Sequence, residues 1–333
     1  MDLLINIDLK KLPEPISYRD NIMLIGSCFT EHIGNALGEF KFSVLQNPNG
    51  ILFGPDSVCK SLYSYISPRE YLEADLFRLN EIWNSWQHHS RYSNIDSRAC
   101  IGAINDSQNT AHTFLKKADW LIITLGSSYS YQLTKEADLA SESIKNGVAN
   151  CHRAPANWFT KEMLSIDVIS FMLEDCIKQL KQFNPDLKFL FTVSPVRHIR
   201  DGVVENNRSK ARLIESVHYI VNKFESAFYF PAYELVIDVL RDYRFYDIDL
   251  VHPNYPATEF VLEKFAATCI NVESQQLMKE IRKIMIARKH KAFQPATKSH
   301  QQFLMSYFEK TRALKDKYPF LQLDEELVYF SQT

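Results

Sequence analysis

No C-x-x-C pair occurs anywhere in the 333 residues; the six cysteines, Cys28, Cys59, Cys100, Cys151, Cys176 and Cys269, lie scattered along the chain. That scatter supplies neither a disulfide framework nor a thiolate zinc site, and predicts reduced thiols, most of them packed in the core. An excess of charge is missing too. With 38 basic against 40 acidic side chains, the net charge of -2 creates no global field that would attract nucleic acid, an anionic membrane or a highly charged substrate. No apolar run approaches the length of a membrane span. The first residues, MDLLINIDLKKLPEP, place Asp2 and Asp8 where a secretory leader needs a basic start and an unbroken apolar run. A cytoplasmic location is the expectation. Repeats and low-complexity tracts are lacking as well.

What the chain does have is apolar content, 46% hydrophobic and 13% aromatic, which is enough for one large domain with appendages. Short apolar runs stand out: NIMLIG at 21–26, FSVLQ at 42–46, DWLIITLG at 119–126, LKFLFTVSP at 187–195 and AFYFPAYELV at 227–236. They alternate with amphipathic stretches such as SIDVISFMLEDCIKQLKQF and SKARLIESVHYIVNKFESA. Strand alternating with helix, the strands apolar on both faces, predicts a parallel sheet covered by helices on each side. In such sheets ligands bind beyond the carboxyl ends of the strands. The residues to inspect are therefore Gly26-Ser27-Cys28, Asn47-Pro48-Asn49-Gly50, Gly126-Ser127-Ser128 and Ser194-Pro195-Val196-Arg197-His198.

Residues 65–118, which include EIWNSWQHHSRYSN, are too long for a plain connection and predict an insertion beside the site. From residue 274 the alternation stops. Leu277, Ile281, Ile284 and Met285 mark one helix, Pro295 ends that pattern, and Phe303, Leu304, Tyr307 and Phe308 mark another. The expected boundaries are thus 1–273 for the main domain and 274–333 for a helical extension packed on it. The basic run RKIMIARKHK reads as a solvated helix face.

Helix signals start directly after Gly26: Phe29, Ile33, Leu37 and Phe40 share a face, and Gly34 and Gly38 allow close approach to the sheet. Ser27 therefore stands between a strand end and a helix start, where free N–H groups favour negative charge developing near its oxygen. An ordinary N-cap serine is the plainer explanation. As a nucleophile the hydroxyl needs a base, because it is barely ionised at neutral pH. The candidate is His252 in FYDIDLVHPNYPATEF, with Asp249 in a D-x-x-H spacing short enough for one turn to bring carboxylate to imidazole. Asp247 competes for that role at a less suitable offset. Cys28 is intrinsically the stronger nucleophile, but in a strand-turn-helix it points differently from Ser27, and burial is the ordinary fate of a cysteine.

The motifs GSCFTEHIG, NPNGILFGP, TLGSSYSY, NCHRAP, TVSPVRHIRDGVVENNRSKA and DYRFYDIDLVHPN, in this order and over roughly residues 20–270, resemble the GSCFA domain family. A Gly-Ser at a strand end with a D-x-x-H far downstream also resembles the wider SGNH/GDSL hydrolase superfamily. The resemblance implies a three-layer α/β/α sandwich around a five-stranded parallel sheet in flavodoxin-like order. It also implies a triad of Ser27, Asp249 and His252 acting on an ester, with no metal and no organic cofactor. The implied oxyanion hole draws on the N–H groups of Ser27 and Gly50 and on an asparagine side chain after the third strand. There the sequence departs from the pattern: Gly126-Ser127-Ser128-Tyr129 has Ser128 where the asparagine would be. A hydroxyl reaches less far than an amide, which leaves Ser127 or Ser128 as candidate third donors.

Arg197 and His198 are expected on the rim, either contacting substrate or pairing with a surface carboxylate and capping a loop. Asn49 joins them as a substrate-binding candidate, and His152 in NCHRAP either reaches the pocket or orders a loop. Adjacent His88 and His89 give no metal site without a third ligand. Trp83, Trp86 and Tyr92 form either a flat wall suited to a sugar or core packing. The expected activity is hydrolysis of an acyl or acetyl ester of a sugar or other polar alcohol. Acyl transfer by the same triad and a non-catalytic binding module are the alternatives. The expected partner is a small-molecule or carbohydrate ester, with no nucleic acid and no membrane; the oligomeric state is not legible.

Overall fold

Apolar side chains leave β1 (Asn21–Gly26) on both faces: Ile22 and Leu24 enter one buried cluster, Met23 and Ile25 another. The computed structural model that reveals this describes residues 5–137 and 148–331; Asp2 lies outside them. After β1 come α1 (Cys28–Glu39), β2 (Ser43–Gln46) and α2 (Pro55–Ile66). A hairpin of β3 (Phe77–Leu79) and β4 (Ile82–Asn84) leads to α3 (Ser97–Leu115) and β5 (Trp120–Leu125). A second hairpin, β6 (Tyr129–Leu133) with β7 (Phe159–Met163), precedes α4 (Ile166–Phe183), β8 (Lys188–Val193), α5 (Val203–Lys223) and β9 (Ala227–Tyr229). A short α6 (Ala232–Glu234) widens into a π-helical stretch, Leu235–Leu240, and α7 (Tyr255–Cys269), α8 (Val272–Lys289), α9 (Lys298–Lys317) and α10 (Asp324–Phe330) complete the chain.

The main sheet has five strands in the order β2-β1-β5-β8-β9, every neighbouring pair parallel. Counted along these strands alone, the order is the expected flavodoxin-like one. Trp120, Ile122 and Leu190 share the β1 face that packs on α1 and α7, through Phe29, Ile33, Val261 and Phe265. Leu121, Ile123, Phe189 and Phe191 face the other way, onto α2, α3, α4 and α5. Both faces of the strands are therefore buried, as their unbroken apolar sequences require. Truncating one such leucine or isoleucine to alanine costs about 2–5 kcal/mol, so the two faces together hold the three layers.

Two expectations about boundaries change. The run 227–236 is not one strand: β9 stops at Tyr229, and residues 232–240 are helical. Pro231 separates the two, since it has no N–H to donate to a ladder. The insertion is also narrower than 65–118, because Ala111 and Leu115 of α3 lie in the sheet's own core. What remains is the hairpin region, centred on Phe77 stacked on Trp86 at 3.5 Å between ring centroids.

Helix α8 packs against the main core, with Leu277, Met278 and Ile281 in its cluster. Glu326 of α10, fully buried, accepts from Lys41 at 2.8 Å and Arg288 at 2.5 Å. Several charges of the basic run meet carboxylates: Arg282 with Glu259, Lys283 with Glu280 and Lys289 with Glu39.

Candidate active site

β1 ends at Gly26 and α1 begins at Cys28, so Ser27 occupies the N-cap position. Gly26 is required there: its φ is 141°, and a Cβ would stand 2.1 Å from the Thr124 carbonyl oxygen. The turn is fixed from both sides. Gly26 N–H donates to Asn47 Oδ1 at 2.9 Å, Ser27 N–H donates to Thr124 O at 3.1 Å, and Leu52 N–H donates to Gly26 O at 2.9 Å. The Ser27 side chain makes no capping bond, and its buried Oγ has no hydrogen-bond partner. A serine at an N-cap ordinarily accepts from the first turn, and leaving a buried hydroxyl unpaired costs about 1–3 kcal/mol. Ser27 is thus not a capping serine.

Asp249 and His252 meet as their spacing predicts. His252 Nδ1 lies 2.6 Å from Asp249 Oδ2, while Asp249 Oδ1 accepts the N–H groups of Val251 at 2.9 Å and His252 at 3.0 Å. The backbone and side-chain bonds from His252 and the backbone bond from Val251 hold the Asp249 carboxyl down at about 2. Both side chains are nearly half exposed. With Nδ1 directed to the carboxylate, Nε2 is the ring atom left for a substrate proton. Asp247 serves the turn through its backbone: its N–H donates to His252 O and its carbonyl accepts from Leu250. His252 also acts on His32 of α1 and on His198, lowering the proton affinity of each beyond the larger effect of burial.

The third element is the turn after β5. Gly126 N–H and Ser127 N–H both donate to Phe53 O, at 2.9 and 3.1 Å. A Cβ on Gly126 would sit 3.3 Å from Ser27 Cβ, 3.3 Å from Phe53 Cδ1 and 3.5 Å from His198 Nε2. The serine, a phenyl edge and an imidazole nitrogen therefore converge on the same side of Gly126. Ser128 is turned to α5, its N–H and its hydroxyl both donating to Ser209 Oγ at 2.8 and 3.0 Å. Ser127 Oγ accepts from Tyr129 N–H at 3.2 Å. Gly50, at φ 83°, donates its N–H to Asn47 O at 2.7 Å.

His198 has its backbone N–H on Asn206 Oδ1 at 2.8 Å and its ring edge-to-face with Phe53 at 5.5 Å. Burial, followed by the nearby Lys210 cation, pushes its imidazole down to about 4. Arg197 packs over the rings of Tyr246 and Tyr243, at 4.8 and 5.5 Å, and its N–H donates to Val251 O at 3.3 Å. It thereby joins the loop after β8 to the loop carrying Asp249 and His252.

The other candidates pack in or around the insertion. Asn49 is buried, with its Oδ1 accepting from Gln108 Nε2 at 2.7 Å and from Tyr65 Oη at 3.1 Å. His152 Nε2 donates to Ser85 O at 2.8 Å, its ring near those of Phe77 and Trp86. His88 is fully buried against Ser85 Oγ and Gln108, and burial pushes it down to about 3; His89 abuts Gly50. Trp86 is core, and Trp83 and Tyr92 pack beside Tyr71 and Ile104. Among the described residues no group of three or more His, Cys, Asp or Glu side chains is arranged to hold a metal. Cys28 packs half-buried against the main core, and burial pushes its thiol up.

One part of the site went unread in the sequence. On α5, Asn206, Ser209 and Lys210 turn inward to hold His198, Ser128 and Gly126. The Lys210 ammonium is buried, lies 2.6 Å from both Gly126 O and Ser194 O, and burial pushes it down to about 7. The signal was available: polar residues at i, i+3 and i+4 on a helix share one face, and here that face continues through the buried Leu213, Val217 and Ile220.

The chain is thus a parallel α/β/α sandwich with a serine at the end of its first strand and a His–Asp pair just before α7. Residues 21–265 match the GSCFA family, and residues 281–333 match the C-terminal domain of GSCFA domain proteins. The chain belongs to the GSCFA family. No curated protein matches it. Among the described residues, no helix is long and apolar enough to cross a membrane.

Proposed function

We propose that this GSCFA protein is a serine hydrolase of the SGNH/GDSL type, cleaving an ester of a sugar or other polar alcohol through an acyl-enzyme. The observation that carries the reading is the buried Ser27 Oγ, which neither caps α1 nor bonds to any other group. A hydroxyl held in that unsatisfied state, at the amino end of a 12-residue helix, sits where developing negative charge is favoured. The Asp249–His252 pair supplies the base.

In this scheme His252 Nε2 takes the Ser27 hydroxyl proton as Oγ bonds to the ester carbon. Asp249 stabilises the imidazolium through Nδ1. The alcohol leaves with the proton from Nε2, and water, deprotonated by the same nitrogen, then releases the acid. No step needs a metal or an organic cofactor. Six free cysteines support a reducing, cytoplasmic setting.

Hydrolysis of p-nitrophenyl acetate tests the scheme. Ser27→Ala and His252→Ala should each lower kcat by about 10⁴-fold. An unchanged rate in a folded Ser27→Ala variant would sink it. Comparing free acetate with acetylated alcohol, when an alcohol is added, separates hydrolysis from transfer.

A further inference from the structure

We propose that the His198 imidazole is an oxyanion donor of this site, in a role that the Ser27, Gly50, Ser127 and Ser128 donors, bonded elsewhere, leave open. The proposal rests on the serine-hydrolase reading above, and begins from where each expected donor already points.

Ser128 spends both its N–H and its hydroxyl proton on Ser209 Oγ. The Ser127 N–H is held by Phe53 O, Ser27 N–H by Thr124 O and Gly50 N–H by Asn47 O. A tetrahedral oxyanion on Ser27 therefore needs a donor from elsewhere. Among the described residues the His198 ring makes no hydrogen bond; its backbone N–H is on Asn206 and its ring packs edge-to-face on Phe53.

Placement is the stronger argument. Ser27 Cβ and His198 Nε2 lie 3.3 and 3.5 Å from one point, the place a Cβ on Gly126 would occupy. An acyl carbon bonded to Ser27 Oγ is two bonds from that Cβ, so its oxygen can be directed toward the His198 ring across the side of Gly126 that carries no side chain. Nε2 is the His198 ring atom on that side of Gly126. The ring is held for this by Asn206 at its backbone and by Phe53 at its edge, which is the preorganisation that electrostatic catalysis requires.

The protonation state fits the role. Burial and the Lys210 cation keep His198 neutral well below physiological pH. A neutral imidazole carries one N–H and can polarise a carbonyl without giving up its proton. Unlike His252, His198 has no carboxylate on its ring to orient it as a base.

The test compares wild type, His198→Ala and His198→Gln in p-nitrophenyl acetate hydrolysis and in the rate of fluorophosphonate labelling, with thermal melting to confirm folding. Glutamine keeps an N–H donor and cannot take up a proton. Loss of one oxyanion donor should lower kcat about 100-fold in His198→Ala, with KM within about threefold. Glutamine should recover the rate to within about tenfold of wild type. A His198→Ala variant as fast as wild type overturns the proposal, and so does equal inactivity of both folded variants, which would mark a base. A wild type that neither turns over nor takes label overturns the serine-hydrolase reading itself, and the donor role falls with it.

Discussion

Lys210 Nζ lies 2.6 Å from the carbonyl oxygen of Gly126, and the same ammonium reaches Ser194 O at 2.6 Å. One buried cation thus ties the carboxyl ends of β5 and β8 together beside the Ser27 turn. In Lys210→Met both carbonyls lose their donor, at about 1–3 kcal/mol each, partly offset because a charge is no longer buried. The expected net is about 2 kcal/mol lower stability. Ester hydrolysis should slow about tenfold, because Gly126 and the loop bearing His198 lose their registration. Urea unfolding and steady-state kinetics on the one variant check both parts; wild-type values in both would contradict this role.

A methyl group at position 126 would enter the space between Ser27 and His198, 3.3 Å from Ser27 Cβ and 3.5 Å from His198 Nε2. Gly126 has no left-handed backbone to lose, so Gly126→Ala should cost only about 1 kcal/mol from crowding. Its kcat/KM should nonetheless fall by at least about tenfold, since the methyl crowds the approach between Ser27 and His198. Melting temperature and kcat/KM measured side by side are the check; a folded variant with full activity would remove this space from the mechanism.

His88 gives a pH dependence with a defined sign. Burial holds it at about 3, against an ordinary 6.5. Between those values the unfolded chain binds a proton that the native protein does not, so stability is full above pH 6.5 and is lost as pH falls. The slope is about 1.4 kcal/mol per pH unit for each such histidine. His198, held at about 4, adds to it between 6.5 and 4. Urea unfolding at about pH 7, 6 and 5 should show a shallower slope in His88→Asn than in wild type; equal slopes would mean that His88 is protonated in the native state.

The sheet was readable because its strands are apolar on both faces: Ile22 and Leu24 against Met23 and Ile25 leave little else for that segment to be. The same logic misread 227–236, where an apolar helix follows the strand and Pro231 alone marks the break. Helix α10 had no local signal; it is short, and Glu326 holds it through Lys41 and Arg288, partners far away in sequence. In the site, the Asp249–His252 contact was legible because it is local, three residues apart. What stayed hidden depends on two or more distant segments meeting. Lys210 counts as a surface residue until the ends of β5 and β8 bring carbonyls to it. Ser27 looks like a cap until its Oγ is found unpaired.

Fluorophosphonate labelling with peptide mapping tests most directly whether Ser27 is the nucleophile. One phosphonyl adduct is expected on Ser27 in wild type and in Cys28→Ala, and none in Ser27→Ala. Label kept by Ser27→Ala and lost from Cys28→Ala would contradict the account, as would a folded wild type that takes no label at all.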